Sequence, residues 1–143
     1  MPQEDKKMLK RIDLTDLFSA IQSQVENGTK LPCYDAIPDN APSPFYFMEL
    51  SGHKPADTKT MYVERYSVSF HIIAEPTPSS VPTYRYIKML EEALTDDIQI
   101  PRPYHLVEQL ETGVQSIYME QTGEKHSVVG FDFLISYGYK MKI

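Results

Sequence analysis

The side chains able to do chemistry are few and poorly placed for it. Four histidines occur, His53, His71, His105 and His126, and none stands at the spacing of a helical metal motif such as HExxH. The single cysteine, Cys33, excludes an internal disulfide and a Cys-rich zinc site, and reads as a small buried apolar residue. The carboxylate pairs Glu91-Glu92 and Asp96-Asp97 are adjacent in sequence. Neighbouring positions on a helix point in different directions, so these pairs form a solvated face and no acid–base couple. The six glycines are scattered, which leaves no phosphate-cradling loop, and no GxSxG elbow occurs. No catalytic, metal-binding or cofactor-binding residue can be named, and no enzymatic activity is expected. The ten tyrosines are the remaining candidates. Tyr84, Tyr86, Tyr137 and Tyr139 could form a ligand platform, but tyrosine is equally at home in strands and protein interfaces, and that reading is preferred.

The element that organises the chain is Thr60–Glu75, TMYVERYSVSFHIIAE. Its even positions run Tyr62, Glu64, Tyr66, Val68, Phe70, Ile72, Ala74, and alternation with β-branched and aromatic residues predicts a strand. The even set is apolar from Tyr66 onward and should face the core. Such a strand would span roughly 50 Å at about 3.3 Å per residue. A compact domain of this size is only about 35–40 Å across. The strand must therefore bend, bulge or leave the domain as an arm, and an arm of that kind needs somewhere to go. The last strand, Lys125–Lys140, has the same character, with Val129, Phe131, Phe133, Ile135, Tyr137 and Tyr139 on one side.

Around these strands the pattern predicts two helices. Leu14, Leu17, Phe18, Ile21 and Val25 form one apolar face over 13–27, with Asp13 as cap and Asn27-Gly28 as a left-handed stop. The second helix starts at Ser79 or Ser80, carries Pro82 in its first turn and ends near Thr95-Asp96, with Tyr86 or Ile87, Leu90, Ala93 and Leu94 apolar. A short strand is expected over Leu31–Ile37, then the rigid link PDNAPSP, then a strand at Phe45–Leu50. A polar loop over 51–59 should make the long tip of a hairpin with the Thr60 strand. The stretch 96–104 resists assignment. A short strand is expected over His105–Leu110, a break at Gly113, another strand over Val114–Gln121 and a turn at QTGEK.

The whole is an α+β fold, mainly antiparallel sheet with two helices packed on it and long hairpins extending from the core. One domain is expected over 1–143, with 1–12 as a charged N-terminal tail and 13–140 as the folded body. No apolar run approaches the length of about 18 residues that spans a membrane, and the N-terminus has no secretory h-region. The net charge of −6 argues against general affinity for nucleic-acid backbone. The one basic cluster, Lys6, Lys7, Lys10 and Arg11, is interrupted by Met8 and Leu9 and reads as a solvated lead-in.

A family resemblance rests on a further set of residues: Asp35, Ile37 and Pro38, then Asn40-Ala41-Pro42, Pro44-Phe45-Tyr46 and Leu50. Asp57-Thr58-Lys59-Thr60, the helix with Ile87, Leu90 and Leu94, and GFDFLISY at 130–137 follow in order. Over about residues 13–140 this resembles the phage tail-completion family, the tail-terminator or tail-to-head joining proteins. The stretch 96–113 is longer and richer in proline than that pattern, and the charged N-terminus lies outside it. The resemblance implies a structural virion protein, made in the bacterial host cytoplasm and located at the tail end or neck. It would form a homo-oligomeric ring, usually a hexamer, on the tail tube, stop tail growth and dock the head connector protein. DNA would pass through the lumen without specific binding. Two other readings stay open: a head-closure or adaptor protein of the connector, and a small-ligand-binding α+β domain. For a ring, Tyr62, Tyr66, Tyr137 and Tyr139 are the expected subunit-interface residues.

Overall fold

The computed structural model describes residues 9–140. Lys6 and Lys7 of the basic cluster lie outside the described residues. The element order is α1 (Leu14–Thr29), β1 (Cys33–Tyr34), β2 (Phe45–Pro55), β3 (Met61–Ala74), α2 (Val81–Ala93), β4 (His105–Met119) and β5 (Lys125–Tyr139). The strands make one five-stranded sheet in the order β1-β2-β3-β5-β4. Among the described residues only β1 pairs in parallel; the other neighbours are antiparallel. The α+β architecture read from the sequence is the one observed.

The two long hairpins, β2–β3 and β4–β5, are joined side by side. β3 pairs β5 from Met61↔Tyr139 to Ala74↔Lys125, so the tips point to opposite ends of the sheet. A bulge between Tyr62 and Val63 leaves Tyr137 of β5 as the extra residue and bends the sheet there. Above the bulge the even positions of β3 face the helices as expected: Tyr66, Val68, Phe70, Ile72 and Ala74 all join the core. Val129, Phe131, Phe133 and Ile135 of β5 do the same. Leu17, Ile21 and Val25 of α1 and Tyr86, Ile87 and Leu90 of α2 close the core from above.

Several boundaries differ from the sequence reading. Helix α1 does not stop at Asn27-Gly28 but continues to Thr29, and the left-handed residue is Lys30 (φ 63°). Gly28 serves a different purpose: a Cβ there would lie 2.6 Å from Ala93 Cβ of α2, so the glycine permits close helix approach. The strand expected over Leu31–Ile37 shrinks to Cys33–Tyr34, paired with Tyr46 and Phe47. The expected loop 51–59 is mostly strand. After a bulge at Ser51, β2 continues to Pro55 opposite Glu64, and the true tip spans 56–60. That tip is tied down by Ala56 N–H to Val63 O (2.8 Å) and by Val63 N–H to Asp57 Oδ1 (2.9 Å).

Residues 105–119 form one strand, not two. Three register shifts along β4, at 106/108, 111/113 and 114/116, absorb the irregular pattern, and Gly113 (φ 110°) supplies a backbone angle that other residues rarely adopt. The last residues of the expected N-terminal tail are docked. Ile12 is in the core, and Tyr104 donates its hydroxyl to Arg11 O (3.1 Å).

Candidate functional site

At the β2–β3 tip end, the sequence-predicted tyrosines fall into two groups. Tyr62 and Tyr137 lie ring to ring at 5.9 Å, with Lys140 Nζ 5.4 Å over Tyr62 and the Arg11 guanidinium 4.9 Å over Tyr137. Tyr139 is 66% exposed beside them. Tyr66 is placed differently: it is 3% exposed and stacks with His53 at 6.1 Å under the helix layer. Burial pushes its hydroxyl up to about 12, with the charge of Glu64 adding to the shift. The surface at this end is therefore offered by Tyr62, Tyr137 and Tyr139, with Tyr66 behind it in the subunit core.

Below this patch sits Glu64, 2% exposed. Its carboxylate accepts from Arg11 Nε at 3.1 Å and meets His53 Nδ1 at 2.7 Å. The hydrogen bond to Glu64 holds the Arg11 guanidinium above its ordinary value. This interaction fastens the N-terminal segment to the sheet. Sequence reasoning does not single out Glu64, yet the signal is there: it is the one acid in the core-facing even series of β3, where a carboxylate must find a partner.

Two polar networks lie on the helix-free face. Asp132, 8% exposed, accepts from Arg65 Nη1 (2.9 Å) and Ser67 Oγ (2.7 Å). Across β3 and β5, His71 Nδ1 and His126 Nε2 share a hydrogen bond of 2.7 Å. Their other nitrogens reach Glu49 Oε1 (2.7 Å), and Glu120 Oε1 (2.7 Å) with the Tyr118 hydroxyl (2.9 Å). The result is an acid–His–His–acid chain that runs from β2 through β3 and β5 to Glu120, just past β4. No spacing in the sequence announces it, because His71 and His126 become neighbours only through the β3–β5 register. Among the described residues no group of three or more His, Cys, Asp or Glu is arranged to hold a metal ion. His53 and His105 are on other parts of the sheet, at β2 and the start of β4. Cys33 is fully buried, and burial pushes its thiol up to about 12, with Glu26 and Asp35 adding to the shift. A thiol held protonated in this way is a poor nucleophile. No described helix is long and apolar enough to cross a membrane.

The two edges of the sheet differ from its middle. Beyond Phe47 no described residue pairs the outer edge of β2, and a groove lined by Leu14, Phe18 and Gln22 of α1 and by Met48 and Leu50 runs alongside it. At the other edge, β4 carries Val107, Val114, Ile117, Tyr118 and Met119, each 39–60% exposed. Among the described residues these two edges and the Tyr62–Tyr137–Tyr139 patch are candidate association surfaces, and none has the enclosed, convergent polar lining of a small-molecule site.

A family model for phage tail terminators, described as tail termination proteins, matches residues 8–143. Among solved structures, a chain of the "Virion of native gene transfer agent (GTA) particle" superposes with a TM-score of 0.67 at 15% identity. The superposition covers 89% of this chain and 99% of that one, and at this identity it shows a shared fold. No curated protein matches the chain.

Proposed function

The chain belongs to the phage tail terminator family, and from that premise we propose that it is a structural virion protein that ends the tail. In this reading, copies join into a ring, with a hexamer as the expected form, on the last layer of the tail tube. The ring stops tube growth and presents the surface that docks the head connector. The observation that carries the reading is the family match from residue 8 to residue 143, which takes in every element of the sheet and both helices. Exposed Tyr139 and the half-buried pair Tyr62 and Tyr137 are assigned to contacts between subunits or with the tube, as amphipathic side chains stiff enough to anchor an interface. The net charge of −6 suits a ring through which DNA must pass, because a negative lumen repels phosphate and lets the duplex slide.

The test is deletion of the gene in a phage or prophage that carries it, followed by electron microscopy. Tails of uncontrolled length without attached heads, restored to normal by the gene supplied in trans, are the expected result. Tails of normal length on particles blocked at head closure would transfer the protein to the connector and overturn the reading.

A further inference from the structure

The exposed apolar residues of β4 follow from how the helices sit. α1 and α2 lie over β1, β3 and β5 and against each other. Val114, Ile117 and Met119 pair with Val129, Ser127 and Lys125, on the helix side of the sheet, yet they are 48%, 45% and 60% exposed. They form an apolar strip that the subunit's own helices leave bare. β4 is also a fifteen-residue edge strand with no lysine, arginine or proline along it. Lysine and proline are common blocks to pairing on such an edge, and what interrupts β4 instead is its three bulges and the acids Glu108 and Glu111.

The opposite edge has the complementary shape. β2 is open from Met48 to Pro55, and α1 overhangs it with Leu14 (44% exposed) and Phe18 above the groove. The pairing registers carry levels straight across the sheet. Met48 is level with Phe70, Val129 and Val114; Lys54 is level with Arg65, Leu134 and Glu108. Lys54 and Glu108 are on the same, helix-free face, both are exposed, and neither has an ion-pair partner among the described residues. Strand direction agrees as well. β2 and β4 run antiparallel within one sheet, so a cyclic rotation about an axis along the strands sets β4 antiparallel to the next copy's β2.

We propose that β4 pairs with the open β2 edge of a second copy of this chain, so that the sheet runs on from subunit to subunit. The second copy's α1 then covers Val114, at the level of Met48, and its Lys54 meets Glu108, while Ile117 lies at the level where β1 already pairs with β2. This inference rests on the ring reading and gives it a defined contact. The contact is heterologous, so it does not stop at a dimer, and it makes a ring when the rotation from copy to copy closes.

The experiment uses the full-length protein, alone and on tail tubes, with assembly mass read by light scattering and fold by circular dichroism. Val114→Arg should leave the fold intact and weaken association by about tenfold or more. Lys54→Glu and Glu108→Lys should each weaken association, and the double exchange should recover most of it. Leu14→Cys together with Val114→Cys should give a ladder of products with a bis-maleimide, since buried Cys33 does not react; each single cysteine should give none. Crosslinked dimers from Val114→Cys alone would mean that β4 pairs with β4, which overturns the proposal. If the unchanged protein assembles while Val114→Arg and the charge exchanges have no effect and no ladder forms, the proposal fails and the ring reading stands. If the unchanged protein never associates, even on tail tubes, the ring reading fails and takes this contact with it.

Discussion

Replacing Gly28 by alanine should pry the two helices apart. The added Cβ would stand 2.6 Å from Ala93 Cβ and 3.1 Å from Ala93 Cα. Carbon atoms in packed interiors sit about 3.5–4.0 Å apart, so the helices must separate by about 1 Å at this point. Overpacking of this kind costs about 1–3 kcal/mol. Alanine is the better helix former by up to about 1 kcal/mol, and that gain offsets part of the cost. Separation also pulls at Gln24, whose side-chain amide donates to Ala93 O at 3.1 Å and helps hold the end of α2. The net expectation is a loss of about 1–2 kcal/mol, or a Tm lower by about 3–6 °C for a chain of this size.

Ala93→Gly alone should cost about 1 kcal/mol through helix propensity. The double variant Gly28→Ala/Ala93→Gly moves the methyl group to the other side of the same gap. Calorimetry on the four proteins should show it closer to the original than either single change predicts, with a favourable coupling of about 2 kcal/mol. Strict additivity, a double variant that loses the sum of the two singles, would refute the claim that the methyl groups compete for one space.

Glu111 gives a pH dependence. Desolvation, with a hydrogen bond and charge from Glu91, raises its carboxyl from 4.5 to about 7. A folded value above the unfolded one means that the folded state keeps a proton the unfolded state has lost, so stability falls as pH rises from about 4.5 to about 7. Glu111→Gln should therefore stabilise the protein above pH ~7 and make no difference below ~4.5, as read by urea denaturation at both pH values; an equal effect at both would show that the carboxyl is not held protonated. Asp132→Ala strands the Arg65 guanidinium and the Ser67 hydroxyl and should cost about 2 kcal/mol, again by urea denaturation. Tyr139→Ser, at a 66% exposed side chain, should leave stability within about 0.5 kcal/mol and reduce assembly on tail tubes; unchanged assembly would remove Tyr139 from the interface.

What is legible in the sequence follows its periodicity. β3 and β5 keep a clean two-residue alternation through the core, so the residue pattern alone assigns their faces. Leu17, Ile21 and Val25 likewise declare the buried side of α1. The failures fall where the phase is broken. In β2 the bulge at Ser51 lies next to Gly52 and a run of polar residues, a composition that reads as loop although the backbone is paired through to Pro55. In β4 three register shifts interrupt the alternation, so one strand reads as two short ones with a gap at Gly113. The candidate surfaces depend on those same broken stretches. Val114 reads as the start of a new strand, and only the register places it on the helix side with no helix above it. Glu64 is visible as a misfit on a core face, but its partners Arg11 and His53 come from a segment that reads as a solvated tail and from a strand that reads as a loop. Bulges change which face a residue serves without changing its composition, and an edge built on bulges, such as the β4 edge proposed for assembly, therefore becomes readable only once the register is known.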